Sequence, residues 1–349
     1  MKKSLLYFFL LLTSSLLAAD FHLSGFGTLG GSISDKEYNY LRFINNEGTL
    51  KTNSLVGAQA DITLNNQWKI TVQAKISPAQ DSDSDWDATV PWAFISYRPS
   101  NDWLIRVGQI RIPFYLNSQN MDVGITYDIA QLPYEVYSLS PINDGIGAII
   151  TKSFEITHGE LVVDLFYAKA NNQSQRLFVR DDLSLYGGLP KGVNFKEYDV
   201  LIQGFATEYK TDENDRFRFG VYKAKTSYNQ NEAAYGNFSL QPGISPLPPL
   251  YYQSSNSYPS NTIIAFTLGA DIGLGDGYRL ASEYAIRKIK ETDTGPDAQS
   301  AYISLSKNIG KWTPYISLAG LKQTMMLTLF TTHSILTPSA QIVNLQTSW

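Results

Sequence analysis

Cysteine is absent from the 349 residues, which excludes disulfide bridges and a lipid-modified cysteine anchor. Long apolar runs are absent after residue 20, because no stretch reaches the roughly twenty apolar residues that a membrane-spanning helix needs. An excess of positive charge is also lacking, since the net charge is −4, and we therefore expect no nucleic-acid partner. The three histidines do not lie near a plausible nucleophile, so we expect no catalytic residues, no enzyme activity and no cofactor.

The first nineteen residues are typical of a secretory signal peptide. Lys2 and Lys3 precede an apolar run at residues 5–12, and the small residues Ala18 and Ala19 follow. A positive start, a short apolar segment and small residues before the cleavage site are the features of exported chains. We therefore expect residues 1–19 to be removed and residues 20–322 to form one exported domain.

From residue 20 onward, apolar and polar residues alternate with the period of β-strands. In the clearest stretch Val56, Ala58, Ala60 and Ile62 share one face, while Asp61 and its alternate neighbours share the other. Short and long connections alternate between the predicted strands, as they do in transmembrane β-barrels. The predicted strands lie near residues 21–33, 56–64, 68–75, 92–98, 103–112, 144–154, 160–169, 199–210, 216–225, 263–272, 278–287, 300–307 and 312–321.

Bulky aromatic residues stand at the beginning of the strands that follow short connections, on the apolar face. A face that is apolar along its length and aromatic at one end is what a bilayer requires of a spanning strand. The predicted periplasmic girdle consists of Phe21, Trp68, Trp103, Phe217, Tyr278 and Trp312. The pattern predicts an all-β, transmembrane antiparallel barrel in the cell outer membrane, in contact with membrane lipid and lipopolysaccharide.

Charged residues on the opposite face of the strands predict a polar, water-filled lumen. The predicted lumen wall contains Lys69, Lys75, Arg216, Arg218, Arg279, Glu283 and Arg287. Basic inward residues slightly outnumber acidic ones, which favours a weak preference for anions or small dicarboxylates. Lys223 and Lys225 break the alternation on the apolar face, but at the predicted extracellular end, where long side chains reach the lipid headgroups.

A long connection at residues 113–143 is the third long loop. Loops of this length inside a compact fold are usually functional. Folded into the lumen, this loop would place acidic residues against wall arginines and narrow the pore. The predicted constriction has Arg106 and Arg111 on its basic side and Asp122, Asp128 and Glu135 opposite.

The run from Gly108 to Phe114 (Gly-Gln-x-Arg-x-Pro-Phe), followed by residues 133–137 and Asp144-Gly145, resembles proteobacterial trimeric porins. Dicarboxylate-channel and phosphate-selective porins are the most similar, and the resemblance covers residues 20 to about 322. It implies a homotrimer of sixteen-stranded barrels, of which thirteen or fourteen strands are readable here, with the third loop folded into the pore. It also implies passive diffusion of small hydrophilic solutes. The arginine-and-lysine ladder of phosphate-selective members is not evident, so phosphate specificity is not implied.

Residues 323–349 differ from the rest of the chain, because they contain no charged residue and place Met325 beside Met326. Two interpretations stay open. The segment is either a last loop followed by a fourteenth strand that ends at Trp349, or an aberrant tail from a truncated or frame-shifted coding sequence.

Two further alternatives stay open. Asp81, Asp83, Asp85 and Asp87 resemble the alternating ligands of a calcium loop, but Trp86 occupies the place of the required glycine, so we expect a solvated loop that binds divalent ions weakly at most. The barrel as a whole is either a channel or a scaffold that displays its long loops as an adhesin or receptor. Inward arginines facing an acidic third loop favour the channel.

Overall fold

The computed structural model describes residues 20–35, 37, 44–51, 54–82, 85–179, 192–228, 235–242, 250–292 and 297–324. The predicted signal peptide, Asp83 and the tail from residue 325 lie outside these residues. The strands are β1 (Asp20–Thr28), β2 (Leu55–Thr63), β3 (Trp68–Pro78), β4 (Trp86–Ser100), β5 (Trp103–Arg111), β6 (Asp144–Ile156), β7 (Gly159–Val179), β8 (Gly192–Thr211), β9 (Arg216–Tyr228), β10 (Tyr235–Pro242), β11 (Leu250–Tyr258), β12 (Ser260–Gly275), β13 (Tyr278–Lys290), β14 (Asp297–Lys307) and β15 (Tyr315–Thr324).

Thirteen strands form one antiparallel sheet in which each strand pairs with the next one along the chain, except that β9 pairs with β12. The strands β10 and β11 form a separate hairpin within the long connection between β9 and β12. Among the described residues β1 pairs only with β2 and β15 only with β14, so the sheet is not closed there. The thirteen predicted strands match the thirteen strands of the large sheet, whereas the hairpin was not predicted.

Burial alternates along the strands as the sequence pattern predicts. On β7, Leu165 is 55% exposed and Phe166 is 4% exposed, and the same alternation continues through β8, β9, β12 and β14. The outward residues are apolar although they are exposed, which is the surface that lipid solvates. The predicted fold, an all-β transmembrane barrel of antiparallel strands, is confirmed. No helix in the described part of the chain is long and apolar enough to cross a membrane.

Short turns use residues that favour tight backbone conformations. Asn65 accepts hydrogen bonds at its side-chain oxygen from the backbone nitrogens of Gln67 (2.8 Å) and Trp68 (3.0 Å), which closes the turn before β3. Asp276 and Gly277 adopt φ angles of 50° and 79° between β12 and β13. Such turns keep successive strands in register, and the long connections therefore all lie at the opposite end of the sheet, called here the long-loop end.

Several predicted boundaries are wrong. Strand β4 begins at Trp86 instead of residue 92, because Pro91 lies where the pairing with β3 shifts register and its missing N–H is tolerated. Strands β7 and β8 extend through most of the connection that the sequence analysis assigned to residues 170–198. Strand β1 ends at Thr28 instead of residue 33.

The last described strand also begins later than predicted. It starts at Tyr315, and Trp312 lies in the preceding turn, where its backbone forms a bridge with Ile309. Trp312 therefore does not begin a strand, although an aromatic residue, Tyr315, does.

The main apolar core lies inside the barrel, between its wall and the third loop (residues 112–143). Loop residues such as Phe114, Val136 and Leu139 pack with inward residues such as Phe166 and Ile202. The third loop is therefore folded into the lumen, as predicted.

Candidate functional site

The third loop covers one side of the lumen through apolar contacts. The ring of Phe114 packs edge-on against that of Tyr222 on β9, with centroids 4.3 Å apart, and the rings of Tyr115 and Tyr137 lie 4.7 Å apart. The inner wall from β6 to β14 carries a patch of apolar side chains that packs against the loop, beside polar contacts such as that of Glu283. The expectation of a polar lumen throughout is therefore wrong for this side, because an inserted loop needs an apolar surface to pack against.

Two inward glycines make room for the first turn of the loop. A Cβ atom at Gly220 on β9 would lie 3.1 Å from Cδ2 of Phe114, and one at Gly269 on β12 would lie 2.8 Å from Cγ of Leu116. Both distances are tighter than ordinary van der Waals contact, so a side chain at either position would push the loop away from the wall. The sequence analysis did not identify these glycines, because nothing along the chain links them to the loop.

Side chains of the wall also bind the backbone of the loop. The hydroxyl of Tyr198 on β8 donates to the carbonyl of Pro141 over 2.7 Å, and that of Tyr222 donates to the carbonyl of Leu139 over 3.1 Å. Arg218 on β9 donates to the carbonyl of Pro113. Hydrogen bonds at both ends of the loop restrict its motion as a unit.

Glu283 on β13 is the most buried carboxylate of this attachment, at 2% exposure. It accepts hydrogen bonds from the backbone N–H of Leu116 (2.9 Å) and from the hydroxyls of Tyr137 (2.7 Å) and Tyr302 (3.1 Å). A buried carboxylate with several donors is costly to disturb. The predicted wall residue Glu283 is thus placed where it holds the loop.

Asp122 attaches the third loop to the other side of the lumen, near the first strands of the sheet. Its carboxylate accepts from Nη2 of Arg111 and from Nζ of Lys75 on β3, each over 2.7 Å, while Nε of Arg111 donates to Asp144 over 2.8 Å. Burial alone would raise the pKa of Asp122, but the two cations outweigh burial and lower that pKa below its ordinary value.

This geometry corrects the predicted constriction. Arg111 and Asp122 were expected on opposite sides of an opening, but they are in direct contact, and Arg111 is only 2% exposed. The loop folds back onto the strand it leaves, so its first carboxylate reaches the nearest arginine instead of the far wall.

The other three predicted constriction residues are spread around the lumen. Asp128 accepts from the hydroxyl of Ser306 on β14 over 2.8 Å, and Glu135 is half-buried on a short helix, α1 (Tyr134–Tyr137). Arg106 donates to the hydroxyl of Thr151 over 3.2 Å. The loop therefore contacts both ends of the sheet: Asp122 binds β3, and Asp128 binds β14.

The wall cations are mostly paired with carboxylates. Lys69 lies 2.9 Å from Asp61, and Asp271 is bound by Arg216 (3.1 Å) and Arg279 (2.5 Å). Arg218 donates to Glu208 over 2.9 Å, and Glu208 is an inward carboxylate that the sequence analysis missed. The hydrogen-bonded carboxylates that were missed reduce the predicted basic excess of the wall. Arg287 faces the same interior, on β13.

A polar cavity of about 390 Å³ lies against β2 to β5, beside the contacts that the third loop makes with Lys75 on β3 and Arg106 on β5. Its lining includes Gln59, Asp61, Thr63, Lys69, Thr71, Trp92, Phe94, Ser96, Arg98 and Arg106. The cavity combines the basic residues Lys69, Arg98 and Arg106 and the largely buried carboxylate of Asp61 with polar side chains. It therefore offers a path for hydrated solutes.

The predicted girdle residues Phe21, Trp68, Trp103, Phe217 and Tyr278 are exposed and lie at or next to a strand start. The ammonium group of Lys152 lies 4.9 Å from the ring centroid of Trp103. The aspartate cluster is divided, because Asp87 lies in β4 while Asp81 and Asp85 lie in the preceding loop. Within the described ranges, no group of three or more His, Cys, Asp or Glu side chains is placed to hold a metal ion.

No family model matches the chain, and no curated protein matches it. Similar solved structures include the outer-membrane expressed OmpT of Vibrio cholerae, with 11% identity, coverage of 88% of each chain and a TM-score of 0.42. An anion-selective porin from Comamonas acidovorans has 11% identity, coverage of 87% of this chain and 90% of the other, and a TM-score of 0.41. The outer-membrane channel DcaP of Acinetobacter baumannii has 14% identity, coverage of 89% and 93%, and a TM-score of 0.38. At TM-scores below 0.5, these similarities carry no part of the argument about function.

Proposed function

We propose that this protein is a passive channel of the outer membrane for small hydrophilic solutes and ions. The observation that carries the proposal is the attachment of the third loop at both sides of the lumen, through Lys75–Asp122 and Ser306–Asp128, beside a polar cavity. A loop fixed in this way narrows a pore without closing it, because the cavity along β2 to β5 stays open beside the loop. A display scaffold has no need of such an arrangement.

The solute path runs along β2 to β5, where Lys69, Arg98 and Arg106 outnumber the carboxylate of Asp61. This local charge supports a weak preference for anions, including small dicarboxylates. Charges in a water-filled pore are screened over about 10 Å at 0.1 M salt, so the preference decreases as salt increases.

The barrel is a homotrimer in this proposal, with the short turns and the aromatic girdle in the periplasm and the long loops outside. The resemblance to trimeric porins supports the oligomeric state, and the outward aromatic residues at the short-turn end support the orientation. In this proposal the chain acts without enzymatic chemistry, and the buried carboxylates of Asp122 and Glu283 serve to hold the third loop.

Single-channel recording of the folded, full-length protein in a planar bilayer, under a tenfold KCl gradient, tests the proposal. We expect large conductance steps that close in three equal levels. We also expect a reversal potential whose sign indicates a preference for anions. A heat-unfolded sample of the same preparation is the control. Silence from verified folded barrels would reject the channel and favour the alternative, a barrel that displays its loops as an adhesin or receptor.

A further inference from the structure

Lysines occur on the outward, lipid-facing surface at the long-loop end of β7, β9 and β13. Lys169, Lys225 and Lys290 lie in one row across the sheet, separated by Leu201 on β8 and Thr262 on β12. Strands are about 4.8 Å apart, so successive lysines of this row are about 10 Å apart. All three side chains are exposed.

A second row lies one side-chain step closer to the middle of the barrel. It contains Lys223 on β9 and Lys288 on β13, on either side of Ile264. Lys288 forms an ion pair with Asp297 over 2.8 Å. Lys169, Lys223, Lys225 and Lys290 make no ion pair with any side chain in the described part of the chain. These five residues are called the lysine patch below.

Three carboxylates border the five lysines of the patch: Asp297, which pairs with Lys288, and two others that each have a further partner. Glu291 accepts from the hydroxyl of Thr262 over 3.4 Å, and Asp199 accepts from the backbone N–H of Asn172 over 3.0 Å. The patch therefore keeps a positive excess. The long-loop end of β1 to β6 carries no exposed outward lysine or arginine among its described residues, so the positive charge is confined to one half of the circumference.

An apolar groove of about 570 Å³ lies directly below the patch, on the same outward surface. Ile150, Leu165, Val221 and Ile264 line it, and Lys223 lies at its rim. An apolar groove that ends at unpaired ammonium groups matches a lipid with an acyl chain and an anionic head. A lysine at this depth extends its ammonium group to the headgroups while its stem stays apolar.

We propose that the lysine patch and the groove below it bind lipopolysaccharide, with the ammonium groups on the phosphates of its lipid A moiety and one acyl chain in the groove. Several lysines about 10 Å apart fit a head that carries more than one phosphate better than one that carries a single phosphodiester. Binding at this site is independent of conduction, because every residue of the patch points away from the lumen.

The test measures binding of bisphosphorylated lipid A, monophosphoryl lipid A and phosphatidylglycerol to the folded, full-length protein by native mass spectrometry. Each lysine near an anionic headgroup contributes about fivefold in affinity. The variant Lys223→Gln/Lys225→Gln/Lys290→Gln should therefore bind bisphosphorylated lipid A roughly a hundredfold more weakly. Arginine at the same three positions should preserve binding, and this variant guards against a folding defect.

The matched control is Lys311→Gln against Lys225→Gln, because Lys311 is an exposed lysine in the turn at the opposite end of the sheet. Only Lys225→Gln should lower the affinity, and neither change should alter conductance. Equal binding of lipid A and phosphatidylglycerol by the wild type would overturn the assignment to lipopolysaccharide. Unchanged binding by the triple glutamine variant would overturn the site.

Discussion

The hydroxyl of Tyr137, on the short helix of the third loop, donates to the buried carboxylate of Glu283 on β13 over 2.7 Å. The two residues are 146 positions apart in the chain. This bond closes the middle of the loop onto the wall, and the width of the proposed pore depends on it.

Replacement of Tyr137 by phenylalanine should loosen the loop without disturbing the wall, because Glu283 keeps its bonds to Leu116 and Tyr302. A hydrogen bond to a charged group contributes about 1.5 to 3 kcal/mol, and we expect a loss of stability in this range. Urea unfolding in detergent measures it, and single-channel records should show more frequent flicker. Tyr284→Phe, on the outward face of the same strand, is the control and should change neither.

Acid should release the loop through Asp122. Its pKa in the folded protein is lowered by Arg111 and Lys75, so its stabilising contribution is present above its unfolded pKa, about 3.9, and is lost as the pH falls through the lower folded value. Asp122→Asn should lower the unfolding midpoint at pH 7 and reduce the further loss between pH 4 and pH 2. Asp212→Asn, in an exposed turn, serves as the control. An equal acid dependence in Asp122→Asn and the wild type would contradict this role.

Gly269→Val should displace the beginning of the loop. The added Cβ would lie 2.8 Å from Cγ of Leu116 and 3.2 Å from Cγ of Glu283. Overpacking of this kind costs about 1 to 3 kcal/mol, and we expect faster cleavage of the loop by protease together with altered conductance. At Gly320 on β15 an added Cβ meets no atom within 4 Å, so Gly320→Val is the matched control. Identical cleavage rates in the two variants would show that Gly269 does not accommodate the loop.

Lys69 and Arg111 should respond differently to the loss of charge. Lys69 is 46% exposed in the open cavity, so Lys69→Gln should shift the reversal potential toward cations and leave stability nearly unchanged. Arg111 is buried between Asp122 and Asp144, so Arg111→Gln leaves Asp144 without this cation and Asp122 with Lys75 alone, and it should cost about 3 to 5 kcal/mol. Reversal potentials and unfolding midpoints of both variants separate the two effects. A stable Arg111→Gln barrel with a large shift in ion selectivity would show that Arg111 lines the pore.

A lysine at Leu268 should impair insertion into the bilayer. Leu268 lies outward near the middle of β12, between Phe219 and Tyr284, and a lysine at the membrane midplane costs about 2 to 4 kcal/mol. The folded fraction in lipid vesicles, read from the heat-dependent shift in gel mobility, should fall. Ile309→Lys, in an exposed turn, should fold as well as the wild type.

The sequence by itself determined the strands, their order and the face of each strand that meets lipid. Residues such as Ala60 and Asp61 reveal this through local alternation, because a strand exposes its two faces to different surroundings and every second residue must suit each. The length of the third loop was read from the sequence, whereas its place in the lumen was implied by the resemblance to trimeric porins. The hairpin of β10 and β11 was not predicted.

Only the tertiary structure decided which residues meet. Asp122 contacts Arg111 instead of facing it across the pore, Glu283 holds the loop instead of lining the wall, and Gly269 makes room for Leu116. These contacts join residues far apart in the chain, and their pairing depends on how far the sheet curves and how the loop folds back. Alternation along a strand carries no information about that curvature, so the sequence specified the wall of the barrel and the fold specified its interior.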